Sequence, residues 1–131
     1  MRPETTAALR DRLARFDTLV EVGIGRRTAL AAALAAADCA VTATDLRERS
    51  VPDGVAFVRD DVTDPDLAVY RGADAVYALN LPPELHRPAR AVARRVDAQF
   101  CFTTLGGDPP GVPVERETVP GETLYVAREG R

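Results

Sequence analysis

Two glycines, Gly23 and Gly25, close an apolar run that begins at Thr18 and precede an Ala-rich stretch. Glycine lets the backbone turn tightly and approach a ligand, and the N-terminus of a following helix offers free N–H groups. Asp45 stands about 20 residues further on, at the end of the next apolar run, where a carboxylate can accept both hydroxyls of a ribose. Together these residues read as a nucleoside cradle. The third glycine of the dinucleotide fingerprint is missing, with Thr28 in its place. The competing reading is a glycine turn that merely packs, beside an ordinary loop acid.

Further acids narrow the ligand. Glu21 lies two residues before the first glycine, where dinucleotide-binding strands carry an apolar side chain. Asp60 and Asp61 offer carboxylates to which an adenine amino group can donate. Glu21, Asp45, Asp60 and Asp61 predict a negatively charged rim, which suits a sulfonium cation with a free amino group better than a pyrophosphate. Arg26 and Arg27 oppose that reading. They fall in the first turn of a helix predicted over Arg26–Ala37, where a cation works against the dipole by about 0.3–1 kcal/mol. Either they meet an anionic ligand group or they pair with Glu21 and neighbouring acids.

Two other side chains are candidates for catalysis. Asn80 follows the fourth predicted strand and is followed by Leu81-Pro82-Pro83; alternatively it caps a Pro-rich helix start. His86, the single histidine, has an intrinsic pKa suited to base catalysis near neutrality, or is a surface or helix-start residue. Glu84 and His86 are two apart, so a regular helix points them in different directions. No Ser/His/Asp nucleophile set and no metal-ligand spacing can be assembled.

The elements that must hold these residues follow from the hydrophobic pattern. A helix over 4–16 carries Leu9, Leu13 and Phe16 on one face. Strands are predicted at Thr18–Gly23, Ala40–Leu46, Val55–Val62, Ala75–Leu79 and Ala98–Thr104. Between them come the Arg26–Ala37 helix, a short helix from Asp64-Pro65 to Arg71 with Asp64 as N-cap, and a helix reaching Val96 with a kink or late start at Pro88. Val112–Thr118 and Glu122–Arg128 read as a hairpin joined by Pro120-Gly121 in a type II turn. This order predicts a mostly parallel α/β sheet with helices on both faces and an antiparallel hairpin at the end. Ligands in such sheets bind beyond the carboxyl ends of the strands, where the unusual residues fall.

Composition excludes several classes. At 131 residues the chain reads as one domain, 1–131, able to fold without disulfides or metal. All 17 basic residues are Arg, against 20 acidic ones, a pattern of coding bias or of a salt-rich cytoplasm. A pI near 5.2 argues against a general nucleic-acid binder. Cys39 and Cys101 lie in apolar runs and read as buried free thiols of a reducing cytosol. The longest apolar run, Ala29–Ala37, is too short to span a membrane, and no signal-peptide pattern follows Met1. A cytoplasmic protein is the expectation.

Glu21-Val22-Gly23-Ile24-Gly25, with acids ending the second and third strands, resembles the cofactor half of class I S-adenosylmethionine-dependent methyltransferases. More closely, that run with Arg26, then Arg59-Asp60-Asp61-Val62-Thr63, Tyr70-Arg71-Gly72-Ala73 and Pro82-Pro83-Glu84-Leu85-His86, is similar to a small uncharacterised archaeal protein family. The similarity covers nearly the whole chain. It implies a reduced methyltransferase-like Rossmann domain of three layers, with S-adenosylmethionine or a related adenine nucleoside as small-molecule cofactor. In that reading Glu21 and Arg26 belong to the cofactor site, Gly23 and Gly25 approach the methionine end, Asp45 holds the ribose, Asp60 or Asp61 addresses the adenine, and Asn80 lines the substrate side.

The departures matter. Arg27 stands where the methyltransferase motif has its third glycine. Leu81 interrupts, and Glu84 replaces the aromatic of, the Asn-Pro-Pro-aromatic motif of amine methyltransferases. A fifth crossover helix and a substrate-binding insertion are missing from the pattern. Two alternatives stand beside this one: NAD(P) held by the same turn, with Arg26 and Arg27 on phosphate, and a non-catalytic module that joins a partner through the hairpin edge.

Overall fold

The computed structural model describes residues 1–128. Its centre is a single seven-stranded sheet: β1 (Thr18–Glu21), β2 (Ala40–Asp45), β3 (Val55–Arg59), β4 (Ala75–Ala78), β5 (Gln99–Phe102), β6 (Val114–Val119) and β7 (Glu122–Ala127). The strand order is β3-β2-β1-β4-β5-β7-β6. The first five strands are parallel; β7 runs antiparallel to both β5 and β6. The order therefore reverses between β1 and β4, which is where a sheet of this kind opens a crevice.

Helices cover both faces. Helices α1 (Pro3–Leu13) and α2 (Ala29–Ala36) bury Leu9, Leu13, Leu30 and Leu34 against Leu19, Tyr77, Cys101 and Leu124. Helices α3 (Leu67–Tyr70) and α4 (His86–Arg95) close the other face over Val20, Val76, Phe100 and Phe102. Strand alternation divides the two cores: Leu19 and Glu21 project to one side of β1, Val20 and Val22 to the other. The central strand β4, Ala75-Val76-Tyr77-Ala78, is buried along its whole length, as a parallel strand covered on both faces must be.

Several boundaries differ from the sequence pattern for local reasons. Helix α2 starts at Ala29, so Arg26 and Arg27 lie in the turn just before the helix rather than in its first turn. Helix α3 starts at Leu67 and takes Asp66 as N-cap, its carboxylate accepting from the Ala68 N–H at 3.0 Å. Asp64 instead bridges to Asp61 in a tight turn that ends the β3 segment early. A 3-10 turn at Pro83–Leu85 delays α4 to His86, which places Pro88 in its first turn, where a missing N–H costs nothing. Residues 103–113 contain no helix, so the chain passes directly from β5 to the hairpin.

The hairpin is anchored to the first helix. Pro120-Gly121 joins Val119 to its register partner Glu122, with Gly121 at φ +75° as a type II turn requires. Thr5 Oγ1 donates to the Pro120 carbonyl at 2.6 Å, and Arg12 grips the Glu117 carboxylate with two bonds of 2.7 and 3.2 Å. Cys39 and Cys101 are free and buried, and burial pushes the Cys101 thiol up to about 12. No helix among the described residues is long and apolar enough to cross a membrane.

Candidate functional site

The turn after β1 is held from below by the strand beside it. The Gly23 and Ile24 N–H groups both donate to the Thr44 carbonyl at 3.0 Å, and Val22 N–H donates to the Tyr77 carbonyl at 2.9 Å. Gly23 and Gly25 sit at φ +69° and +56°, the left-handed region that costs an ordinary residue about 1–2 kcal/mol. A Cβ on Gly23 would meet no protein atom within 4 Å. The glycine therefore leaves room above the backbone.

Asp45 ends β2 beside that turn. Its Oδ2 accepts the Gly25 N–H at 2.8 Å and its Oδ1 the Arg47 N–H at 3.0 Å, with Arg49 Nε 3.4 Å from Oδ1 as an ion pair. Partial burial works to raise its pKa, but the two amides and the Arg49 charge outweigh burial and hold the carboxyl below its ordinary value. Asp45 is thus ionised and aimed by the glycine turn itself. Asp60 accepts the Tyr70 hydroxyl at 2.8 Å and the Asp66 N–H at 3.0 Å. Asp61 is exposed and accepts both the Thr63 N–H and hydroxyl, at 2.9 and 2.7 Å.

These acids surround a cavity of about 320 Å³ at the carboxyl ends of β1, β2 and β3, with Gly23 also in its wall. Its apolar walls are Val22, Leu46, Val62 and Leu85. Leu46 is 62% exposed, an apolar side chain left standing beside the cavity. The hydrophobic pattern does not single out these walls; the available signal is an apolar residue directly following an acid at a strand end, as in Asp45-Leu46 and Asp61-Val62. Polar groups at one rim and flat apolar walls suit a purine nucleoside.

Glu21 does not belong to that rim. It is 1% exposed, lies on the α1/α2 side of β1, and accepts the Tyr77 hydroxyl at 2.6 Å. Burial raises its pKa to about 8, against the lowering effect of the Tyr77 bond. The expected acidic surroundings therefore reduce to Asp45, Asp60 and Asp61, and the charge argument against an anionic ligand group loses its strongest member.

Arg26 and Arg27 are exposed on the far side of the glycine turn, and no salt bridge forms to either among the described residues. With the Asn80 amide turned so that its oxygen faces Arg27, that oxygen lies against Arg27 Nη1 and the amide nitrogen donates to the Thr104 carbonyl at 3.3 Å. Asn80 sits at φ +50° just after β4, so it caps no helix; the turn aims it at Arg27. The structure thus brings Gly23, Asp45, Asp60 and Asp61 to one cavity, with Gly25 outside its wall and tied to it through Asp45, and Arg26, Arg27 and Asn80 to the neighbouring surface.

His86 is a framework residue. It is fully buried, its Nδ1 accepts the Gly111 N–H at 2.9 Å and its Nε2 donates to the Leu81 carbonyl at 2.9 Å. With both nitrogens engaged and the ring packed 4.6 Å from Phe102, no face is left for a substrate. Its candidacy for catalysis ends there. Among the described residues no group of three His, Cys, Asp or Glu side chains is placed to hold a metal ion.

Comparison with known proteins follows the same lines. The sequence profile of the uncharacterised protein family UPF0146 matches residues 5–129. A UPF0146 protein of Halobacterium salinarum is 57% identical over 129 residues, covering 98% of each chain. One from Archaeoglobus fulgidus is 48% identical over 90 residues, 69% of each. Among solved structures, an RNA methyltransferase from Salinibacter ruber in complex with S-adenosyl-L-homocysteine superposes with a TM-score of 0.64 at 16% identity, covering 97% of this chain and 92% of that one. A TehB-like S-adenosylmethionine-dependent methyltransferase from Corynebacterium glutamicum gives 0.64 at 18% identity, covering 95% and 86%. At such identities the likeness shows a shared methyltransferase-like Rossmann fold.

Proposed function

The chain belongs to the UPF0146 family, and we propose that it binds S-adenosylmethionine or a related adenosine compound in the cavity between β1, β2 and β3, and acts as a methyltransferase. The observation that carries the reading is Asp45. Its Oδ2 accepts the Gly25 N–H alone, while Oδ1 accepts the Arg47 N–H and faces Arg49 Nε at 3.4 Å, and a carboxylate has about four acceptor positions. The open position on Oδ2 suits a ribose hydroxyl. The neighbours with bound S-adenosylhomocysteine or S-adenosylmethionine support the choice of nucleoside.

The roles follow from position. Asp45 holds the ribose. Leu46, Val62 and Leu85 sandwich the adenine, and Asp61 or Asp60 accepts from its amino group. Gly23 and Gly25 keep side chains away from the sulfur end. Bound S-adenosylmethionine supplies an electrophilic methyl group, and this chain's contribution is to hold the acceptor in line with it, an effect of orientation. Without His86, no positioned base is needed for an acceptor that is already nucleophilic.

Thermal unfolding tests the reading. A ligand at 100 times its dissociation constant adds about 2.7 kcal/mol of stability. S-adenosylhomocysteine at millimolar concentration raises Tm in the wild type, and the absence of any shift overturns the proposal. A second reading, NAD(P), draws support from the burial of Glu21 and from exposed Arg26 and Arg27 beside the turn. Competition separates the two: displacement of bound S-adenosylhomocysteine by NAD at equal concentration favours the dinucleotide.

A further inference from the structure

On the other side of the glycine turn lie two adjoining hollows of about 330 and about 280 Å³, which share Met1 and Arg27 in their walls. The first also takes in Arg2, Thr5, Asn80 and Glu122; the second takes in Arg26 and Thr28. We propose that this basin binds the carboxylate or phosphate of a small anionic second substrate, an assignment that rests on the cofactor reading above and names its substrate class.

Three guanidinium groups, Arg2, Arg26 and Arg27, converge here in a chain whose net charge is −3. Two carboxylates stand close to them: Glu122, in the wall of the first hollow with its Oε1 accepting the Thr123 N–H at 2.9 Å, and Glu4, paired with Arg2 at 3.5 Å on the exposed surface, so the cations remain in excess. Arg27 is not a loose surface side chain. The turned Asn80 amide sets its oxygen against Arg27 Nη1, and Asn80 is itself held by the Thr104 carbonyl and, through its backbone N–H, by Thr103 Oγ1 at 2.8 Å. A left-handed residue at the end of β4 thus orients a guanidinium over a hollow, leaving its other N–H groups for a ligand.

The start of α2 adds to this. Thr28 makes no side-chain cap and no acid stands in the first turn, so α2 presents free N–H groups beside Arg26 and Arg27, whereas at α1 Pro3 has no N–H and the Thr5 N–H is bonded to the Arg2 carbonyl. Two arginines just before an uncapped helix start is an arrangement that local preferences disfavour and an oxyanion relieves. The size of the hollows fits a small molecule, and only the glycine turn separates them from the adenosine cavity, as a second substrate requires.

The test uses inorganic phosphate and acetate as probes at constant ionic strength with chloride as reference, read by thermal unfolding. Phosphate, and more weakly acetate, raises Tm above the chloride reference in the wild type. The double variant Arg2→Gln/Arg27→Gln loses at least tenfold in apparent phosphate affinity, whereas Arg87→Gln/Arg94→Gln, altering a separate arginine groove on α4, keeps it. A shift with acetate equal to that with phosphate assigns a carboxylate, a larger one with phosphate assigns a phosphate. No protection by either anion, protection unchanged in Arg2→Gln/Arg27→Gln, or protection lost only in the α4 variant overturns the inference. S-adenosylhomocysteine is titrated in parallel: its failure to bind refutes the cofactor reading, while anion protection reports on the basin alone.

Discussion

The Tyr77 hydroxyl reaches from β4 to Glu21 Oε1 on β1 at 2.6 Å, closing a polar pair inside the apolar layer formed with α1 and α2. Burial raises the Glu21 pKa to about 8, above the ordinary 4.5 that the unfolded chain displays. Between those values unfolding releases a proton, so the contribution is complete below 4.5, shrinks as pH rises toward about 8 and is lost above it. Glu21→Gln removes this dependence. Urea unfolding should show the variant gaining on the wild type by on the order of a few kcal/mol at pH 9 and little near pH 4.5. Parallel stability–pH curves for the two proteins would refute the assignment.

Asp45→Ala tests the ribose contact. Hydrogen bonds to a charged group are worth about 1.5–3 kcal/mol, so S-adenosylhomocysteine affinity should fall roughly 10- to 100-fold by calorimetry. Because Asp45 is held below its ordinary value of 3.8, binding by the wild type should persist down to about pH 4, where an unshifted carboxyl would already be partly protonated. Undiminished affinity in the variant would remove Asp45 from the site.

The glycine turn separates stability from binding. Gly25→Ala forces a side chain into φ +56° and should cost about 1–2 kcal/mol in urea. Gly23→Ala has a similar backbone cost, but its Cβ meets no protein atom, and Gly23 lines the cavity. Its loss of S-adenosylhomocysteine affinity should therefore exceed that of Leu46→Ala. Equal, small effects on binding would show that no ligand approaches Gly23.

His86→Ala leaves the Gly111 N–H and the Leu81 carbonyl without partners beside a new void, and should lower stability by about 2–4 kcal/mol. His86→Asn, which restores an acceptor near Nδ1, should recover part of it. Cofactor affinity per folded molecule should stay within about twofold of wild type, a change worth under about 0.5 kcal/mol. A tenfold loss in both variants would return His86 to the site.

Much of this was legible in the chain. The glycine pair and Asp45 come together because their spacing is set by one βα unit, and a mostly parallel sheet closed by a hairpin follows from short strands alternating with helical segments, although the order of the strands across it is decided by packing. Glu21 misleads because chemistry draws attention to it, although simple alternation puts it on the same face as Leu19, inside. Arg26 and Arg27 read as helical because they are good helix formers, while Thr28, a residue that prefers N-cap positions, marks the real start at Ala29. The burial of His86 depends on Gly111, brought over it by a loop that no local pattern announces. Pairing across such distances is decided by tertiary packing.

Strand β7 lies between β5 and β6, although β6 comes earlier in the chain. A nascent polypeptide that has emerged only through Val119 therefore carries a strand with nowhere to dock. It waits until the Pro120-Gly121 reversal brings its successor back into the gap. Completion of the sheet is thus tied to the emergence of β7, and proteolytic trimming within Glu122–Ala127 would strip away two strands' worth of order at a single cut.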